Sequence, residues 1–225
     1  MATANAMSIF TLNFHGVGPI SRAMDPGERN CWLDQDLFEA VLERVAVHPH
    51  VRITVDDGNS SDCEIILPAL LSRGLHATFF VCSGRLDQPT FLSRMQVCEL
   101  QAHGMGIGSH GVAHVPWRHL HPQQLRDEIE GSRRILEELC GVTVDTAACP
   151  FGSYDRNVLR ALRRAEFRLV YTSDGGIASP EDWIQPRITV TRSMSTGDID
   201  RLLEEGSGAW KQFFINARKL FKKIR

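Results

Sequence analysis

Short apolar runs alternate with longer amphipathic segments along this 225-residue chain. Runs of five to eight residues rich in aliphatic and aromatic side chains predict strands, and apolar residues that recur every three or four positions predict helices. The predicted strands are residues 8–14, 51–55, 76–82, 105–109, 142–149 and 168–172. The predicted helices are residues 34–47 (capped by Asp34), 62–73, 89–103, 122–140 (stopped by Gly141), 154–165, a short helix capped by Thr196, and 207–225.

Strands that alternate with helices predict a parallel sheet covered by helices. The fold class that we expect is therefore α/β, as a distorted (β/α) barrel with mainly parallel strands. Residues 1–206 are expected to form one domain, followed by a basic amphipathic helix at 207–225. The last fifteen residues hold six lysines and arginines and no acidic residue. Such a helix can make peripheral contact with an anionic membrane or pack on the barrel with its basic face in water.

Composition narrows the function classes. The formal net charge is −2, which gives no indication of nucleic-acid binding. The six cysteines have neither zinc-knuckle nor disulfide spacing and fit a reducing compartment. Neither a secretory signal nor an apolar run long enough to span a membrane is evident. We therefore expect a cytoplasmic protein, either free or at the inner face of the membrane, and the sequence leaves its oligomeric state open.

Polar residues with useful chemistry follow several predicted strands. His15 follows the first strand, Asp56 and Asp57 follow the second, His110 follows the fourth, and residues 150–152 follow the fifth. In parallel α/β barrels the active site lies where the strands end at their carboxyl side. These residues are therefore candidates for one common site.

Two adjacent carboxylates before a glycine have two interpretations. Asp-Gly is a common turn signal, so residues 56–58 can form an exposed turn. The alternative is a metal site, since a cation makes neighbouring carboxylates favourable. Asp57, His110 and His114 supply one carboxylate and two imidazoles, a set that suits zinc or a similar divalent ion with positions left open. The metal site is the interpretation that we favour.

Three motifs, taken together and in order, resemble a known family. They are TVDDG at 54–58, SHGVAH at 109–114 and CPFGSYD at 149–155. They are similar to the motifs of the polysaccharide deacetylases, carbohydrate esterase family 4, which have the NodB-like fold. The resemblance implies a metal-dependent hydrolase that removes N-acetyl groups from sugars of a polysaccharide or glycolipid. It also implies a divalent ion, zinc first, with cobalt, nickel or manganese as alternatives.

The resemblance implies a role for each matching residue. Asp56 would be the general base, and Asp57 would bind the metal with the two histidines. The backbone N–H of Phe151 would stabilise the oxyanion, and Trp183 would line the pocket at the weaker fourth motif. The substrate-binding turn of the third motif would consist of Pro150, Phe151 and Gly152.

The chain departs from the family pattern at two positions. The arginine that often begins the third motif is replaced by Ala148, so Arg187 either substitutes for it or faces solvent. The histidine of the fifth motif, the usual general acid, is missing, because no histidine follows Tyr171. FTLNFHGVG at 10–18 has the expected form, a hydrophobic strand that ends in histidine, at the other end of the chain. It resembles the permuted exopolysaccharide and biofilm deacetylases, which implies that His15 is the general acid.

Three functions remain open at the level of the sequence. The first is N-deacetylation of an N-acetylated carbohydrate, and the second is hydrolysis of an O-acetyl ester or a non-sugar amide at the same site. The third is a degenerate carbohydrate-binding protein that has lost its acid, with His15 only donating a hydrogen bond at the end of its strand. The retention of Asp56, Asp57, His110 and His114 favours an enzyme.

Overall fold

The computed structural model describes residues 9–25 and 27–204, which form nine strands and seven α-helices. The strands are β1 Ile9–Phe14, β2 Val51–Asp57, β3 Ala77–Val81, β4 Gly106–Ser109, β5 Thr146–Ala148, β6 Leu169–Thr172, β7 Ile177–Ala178, β8 Ile184–Pro186 and β9 Ile188–Thr189. The α-helices are α1 Gln35–Val45, α2 Leu67–Leu71, α3 Arg94–Ala102, α4 Pro122–Arg126, α5 Ser132–Cys140, α6 Arg156–Arg164 and α7 Thr196–Glu204.

The described strands form one sheet that is nearly closed. Its order is β7-β1-β2-β3-β4-β5-β6-β8, and β9 also pairs with β1. All of these pairs are parallel except β1 with β7. Strands β8 and β9 are separated by a single residue, Arg187. The chain therefore runs from β8, at one end of the strand order, directly into β9, which pairs with β1 near the other end. The predicted (β/α) barrel is therefore confirmed, and the first and last of the described strands, β1 and β9, are neighbours.

The two faces of β1 and β2 have different environments. Leu12, Phe14, Ile53 and Val55 belong to the main hydrophobic core beneath the helices, where Phe14 meets Phe38 of α1 edge to face. On the other face, towards the carboxyl ends of the strands, the side chains are buried but polar: Thr11, Asn13, Thr54 and Asp56. This alternation produces a polar barrel interior next to the strand ends.

Most predicted elements are present, with altered boundaries. Strand β2 continues through both carboxylates to Asp57, and the predicted strand 142–149 is reduced to β5. The helix predicted at 89–103 begins only at Arg94, after a Ser93 capping box. Ser195, and not Thr196, caps α7, because its side chain accepts a hydrogen bond from the Asp198 N–H at 3.2 Å. The short strands β7, β8 and β9 were not predicted.

Two predicted helices contain a π-helical turn. One occupies Asp62–Ile66, immediately before α2, and the other occupies Asp127–Gly131, between α4 and α5. A π turn inserts one residue into a helix and is frequent near functional sites. Each of these two turns carries a buried carboxyl group, Asp62 in the first and Glu128 in the second.

Two predictions fall outside the described residues. The C-terminal helix at 207–225 lies there, and so does the boundary of the domain predicted at 1–206. Both stay predictions, as does the cytoplasmic location. None of the helices in the part of the chain that the structure describes is both long enough and apolar enough to cross a bilayer.

Candidate active site

The candidate residues from β2 and β4 meet at the carboxyl ends of the strands. The register pairs Asp57 with Val81 of β3, and Val81 with Ser109 of β4. Asp57 therefore lies two strands from the residue that precedes His110. The chain turns sharply there, since Asp57 has φ 82° and Gly58 has φ 72°. A positive φ is unfavourable for aspartate, so the fold maintains this conformation against a local cost.

Asp57, His110 and His114 form a compact, buried cluster. The Oδ1 atom of Asp57 lies 3.5 Å from Nε2 of His110 and 3.1 Å from Nε2 of His114. One ligand atom from each residue lies within 4.8 Å of the others. Ligands of a tetrahedral zinc ion at its usual bond lengths are about 3.4 Å apart. The spacing of these three atoms therefore fits a divalent ion.

The hydrogen bonds of this cluster also fit a metal ion. Nδ1 of His110 donates to the Ala148 carbonyl at 2.9 Å, and Nδ1 of His114 lies 3.2 Å from Oδ2 of Asp25. Both Nε2 atoms are therefore left to face Asp57. Oδ1 of Asp57 is buried without a well-aligned hydrogen bond from the described residues. Such a buried oxygen needs a positive partner, and a cation between the three ligand atoms would provide it.

The protonation preferences of the cluster have clear causes. Burial alone would raise the pKa of Asp57, but the surrounding histidines hold it well below its ordinary value. Burial lowers the pKa of His110 to about 4, which favours the neutral imidazole that binds metals. Burial also opposes the charge on His114, but the nearby carboxylate of Asp57 raises its pKa.

Asp56 forms a two-point ion pair with Arg187. NH1 of Arg187 donates to Oδ1 of Asp56 at 2.6 Å, and NH2 donates to Oδ2 at 2.8 Å. Both side chains are almost completely buried. Burial alone would raise the pKa of Asp56, but Arg187 lowers it. The alternative of a solvent-facing Arg187 is therefore wrong, and Arg187 contacts the carboxylate that the absent third-motif arginine would be expected to orient.

Asn13 completes this buried pair. Its side-chain amide donates to Oδ2 of Asp56 at 3.0 Å, and its Oδ1 accepts from Arg187 at 2.8 Å and from the Thr54 hydroxyl at 2.7 Å. These residues come from β1, β2 and the junction of β8 and β9. Asp56 is thus held in one orientation by three parts of the barrel.

His15 lies at the same edge of the sheet. Strands β1 and β2 pair in register up to Phe14 with Val55, so His15 and Asp56 are the next residues on the two neighbouring strands. A positive charge on His15 lowers the pKa of both Asp56 and Asp57. Nδ1 of His15 is buried and has no hydrogen-bond partner among the described residues. No hydrogen bond from Nδ1 to a carbonyl of the described chain therefore supports the alternative in which His15 only donates a hydrogen bond at the end of its strand.

The third motif forms a tight turn next to the cluster. Phe151 has φ 57° and Gly152 has φ 59°, so the chain reverses directly after Pro150. The Phe151 ring is half exposed and lies 4.4 Å from the His114 ring, measured between centroids. Its backbone N–H donates to no described residue in the hydrogen-bond network. This N–H is therefore available beside the cluster.

Trp183 is the one candidate that the structure does not bring to this cluster. Its indole N–H donates to the Phe167 carbonyl at 2.8 Å, and Arg163 stacks on the ring at 3.6 Å. It packs at the edge of the hydrophobic cluster around α6. These contacts give Trp183 a packing role, and its pocket-lining role has no contact to support it.

Two buried carboxyl groups near the site were missed by the sequence analysis, and both lie on the π turns. Both oxygens of Asp62 are buried without a hydrogen-bond partner among described residues, and burial together with Asp56 and Asp57 raises its pKa well above the ordinary value. Glu128 instead accepts hydrogen bonds from the backbone N–H groups of Val112 and Ala113, at 2.9 and 3.1 Å. Glu128 thus holds the loop between the two histidines.

Comparisons with known proteins agree with this fold and indicate a family. A family model described as polysaccharide deacetylase matches residues 45–170, which is more than half of the chain. YxkH of Bacillus subtilis (strain 168), named as a polysaccharide deacetylase, is 27% identical over 156 residues, which are 68% of this chain and 56% of YxkH. The chain thus spans little more than half the length of this relative.

Two solved structures have a similar fold. The Streptococcus pyogenes deacetylase PplD, solved with acetate, is 22% identical with a TM-score of 0.75, covering 88% of this chain and 98% of PplD. IcaB from Ammonifex degensii is 23% identical with a TM-score of 0.72, covering 85% of this chain and 95% of IcaB. At these identities the likeness concerns the fold alone.

Proposed function

This chain belongs to the polysaccharide deacetylase family, and from that premise we propose that it is a metal-dependent N-deacetylase. Its substrate would be an N-acetylated sugar of a polysaccharide or glycolipid. The observation that carries this proposal is the pair of adjacent carboxylates with separate partners. Asp57 faces His110 and His114, whereas Asp56 pairs with Arg187.

The metal would be held by Asp57, His110 and His114. Zinc is the ion that we propose first, because two imidazoles, one carboxylate and open positions are typical of catalytic zinc sites. A bound divalent ion supplies Lewis-acid chemistry, polarising the acetyl carbonyl and lowering the pKa of a water molecule. Cobalt, nickel and manganese are the alternatives for the same ligands.

Asp56 acts as the general base in this proposal. Arg187 lowers the pKa of Asp56, so the carboxylate is ionised and able to accept a proton at neutral pH. Asn13 and Arg187 fix its orientation through hydrogen bonds. Asp56 would take one proton from the water that attacks the acetyl carbon.

Phe151 and His15 complete the reaction. The free Phe151 N–H would donate to the oxygen that becomes negative as water adds to the carbonyl. His15 would give a proton to the departing nitrogen as the C–N bond breaks, leaving acetate and a free amine. The buried, unpartnered Nδ1 of His15 supports this role, because it leaves the ring without a fixed hydrogen bond at that nitrogen.

Acetate release from matched substrates tests this function. The purified zinc-loaded protein would be assayed with N-acetylglucosamine oligomers and, at equal acetyl concentration, with an O-acetylated xylan. The proposal predicts release from the oligomers with the appearance of one free amine per acetate. Release from the O-acetyl ester alone would instead support an esterase. An Asp56→Asn variant serves as control and should be inactive on both substrates.

A further inference from the structure

The two candidate metal-ligating histidines have different outer partners. Nδ1 of His110 donates to a backbone carbonyl, that of Ala148, whereas Nδ1 of His114 meets a side chain, the carboxylate of Asp25, at 3.2 Å. Asp25 lies in the loop between β1 and α1, far from His114 in sequence. We propose that Asp25 is a positioning residue that orients His114 for the metal. This inference rests on the metal site of the proposed function.

The carboxylate of Asp25 is itself held in place. Its Oδ2 atom accepts a hydrogen bond from NH2 of Arg85 at 2.8 Å, and its backbone N–H donates to Glu28 at 2.8 Å. Arg85 also stacks on the Phe91 ring at 4.9 Å. Asp25 is therefore fixed from both sides, and the oxygen that receives Arg85 also faces the His114 ring.

This contact determines which nitrogen of His114 is free to bind. A neutral imidazole carries one proton, and a carboxylate next to Nδ1 keeps the proton on that atom. The lone pair is then on Nε2, the atom that faces Asp57 at 3.1 Å. Removal of such an outer partner typically weakens metal binding by a factor of about 10 to 100. The equivalent partner of His110 is main chain, so Asp25 is the one that substitution can remove.

Zinc affinity of two matched variants tests the inference. Asp25→Ala removes the proposed partner, and Asp200→Ala removes another aspartate that pairs with an arginine, Arg44, at 2.6 Å. The two carboxylates are similarly exposed, at 36% and 43%. The zinc dissociation constant of the full-length chain would be measured by competition with a chelating dye. Thermal unfolding of the metal-free proteins would be measured alongside it.

We expect Asp25→Ala to bind zinc about 10 to 100 times more weakly than the wild type, and Asp200→Ala to bind it as tightly. Asp25→Asn keeps an acceptor oxygen without the charge, so its loss should be smaller, and it replaces Asp25→Ala if that variant does not fold. Wild-type affinity in the Asp25 variants, or an equal loss in Asp200→Ala, would overturn the inference alone. Absence of stoichiometric zinc binding by the wild type would overturn the proposed function as well.

Discussion

Replacement of Arg187 by methionine removes the positively charged partner of Asp56, the proposed general base. Arg187 and Asp56 make two hydrogen bonds, at 2.6 and 2.8 Å, and their side chains are 0% and 4% exposed. Arg187→Met keeps much of the volume of the side chain and removes its charge. The substitution leaves Asp56 buried and charged, with the Asn13 amide as its remaining hydrogen-bond donor among the described side chains.

The loss of stability follows from this burial. Breaking a buried ion pair at one partner costs about 3–5 kcal/mol, because the remaining charge is uncompensated. For a domain of this size that corresponds to a decrease in Tm of roughly 6–20 °C. The matched control is Arg168→Met, which breaks an exposed pair with Asp145, and surface pairs contribute only about 0–1 kcal/mol.

Urea unfolding of five proteins measures these differences. They are the wild type, the control Arg168→Met, Arg187→Met, Asp56→Asn and the double variant of Arg187 and Asp56. The double variant has neither charge, so we expect it to lose less stability than Arg187→Met alone. A loss below about 1 kcal/mol for Arg187→Met, or simple additivity in the double variant, would refute the reasoning that the pair is a buried, coupled unit.

The same variant predicts a change in the pH dependence of catalysis. Arg187 lowers the pKa of Asp56, so its removal raises that pKa and keeps the base protonated up to a higher pH. The acidic limb of the kcat/KM profile for acetate release should therefore move to higher pH in Arg187→Met. An unchanged acidic limb would indicate that Asp56 is not the base.

Three further predictions concern other parts of the site. His15→Ala should reduce acetate release from N-acetylglucosamine oligomers by a factor of about 10²–10⁴ with unchanged zinc content. Hydrolysis of p-nitrophenyl acetate should fall less, because its leaving group needs no proton. Retained activity on the N-acetylated oligomers would contradict this role of His15. Asp62→Asn should gain stability over the wild type as pH rises above about 4, by up to about 1.4 kcal/mol per pH unit in the metal-free protein. The reason is that the folded-state pKa of Asp62 is raised, so the ionisation of Asp62 is unfavourable only in the folded protein. Parallel curves of stability against pH for the two proteins would contradict this prediction. Gly111→Ala should lower Tm and zinc affinity more than Gly141→Ala does. Both positions have a positive φ, but a Cβ at Gly111 would lie 2.6 Å from Oε2 of Glu128, whereas a Cβ at Gly141 would meet no other described part of the chain within 4 Å. Equal effects of the two substitutions would contradict this prediction.

The three candidate metal ligands could be brought together from the sequence because they lie in local motifs. Asp57 sits at the end of an apolar strand, and His110 and His114 are four residues apart after another. In a parallel sheet such strand ends converge whatever the details of the loops. His15 was predictable for the same reason, since the closure of the barrel makes β1 and β9 neighbours.

Other contacts could not be predicted, or were left as one of two alternatives in the case of Arg187, because their partners are distant and their segments lack periodicity. Arg187 is 131 residues from Asp56 and lies between two strands of only three and two residues. Asp25 lies in an irregular loop, where no pattern indicates its contact with His114. A π turn changes the spacing of a helix by one residue, so the apolar pattern gave no sign of the burial of Asp62.

Titration of the metal-free protein with zinc tests the central claim most directly. The chain would be freed of metal by chelation, and acetate release from N-acetylglucosamine oligomers would be followed as zinc is added, with Asp57→Asn as the control. We predict no activity without zinc, a linear rise that ends at one equivalent, and no recovery in Asp57→Asn. Full activity in the chelated protein, or a normal zinc response in Asp57→Asn, would contradict a metal-dependent site built on Asp57, His110 and His114.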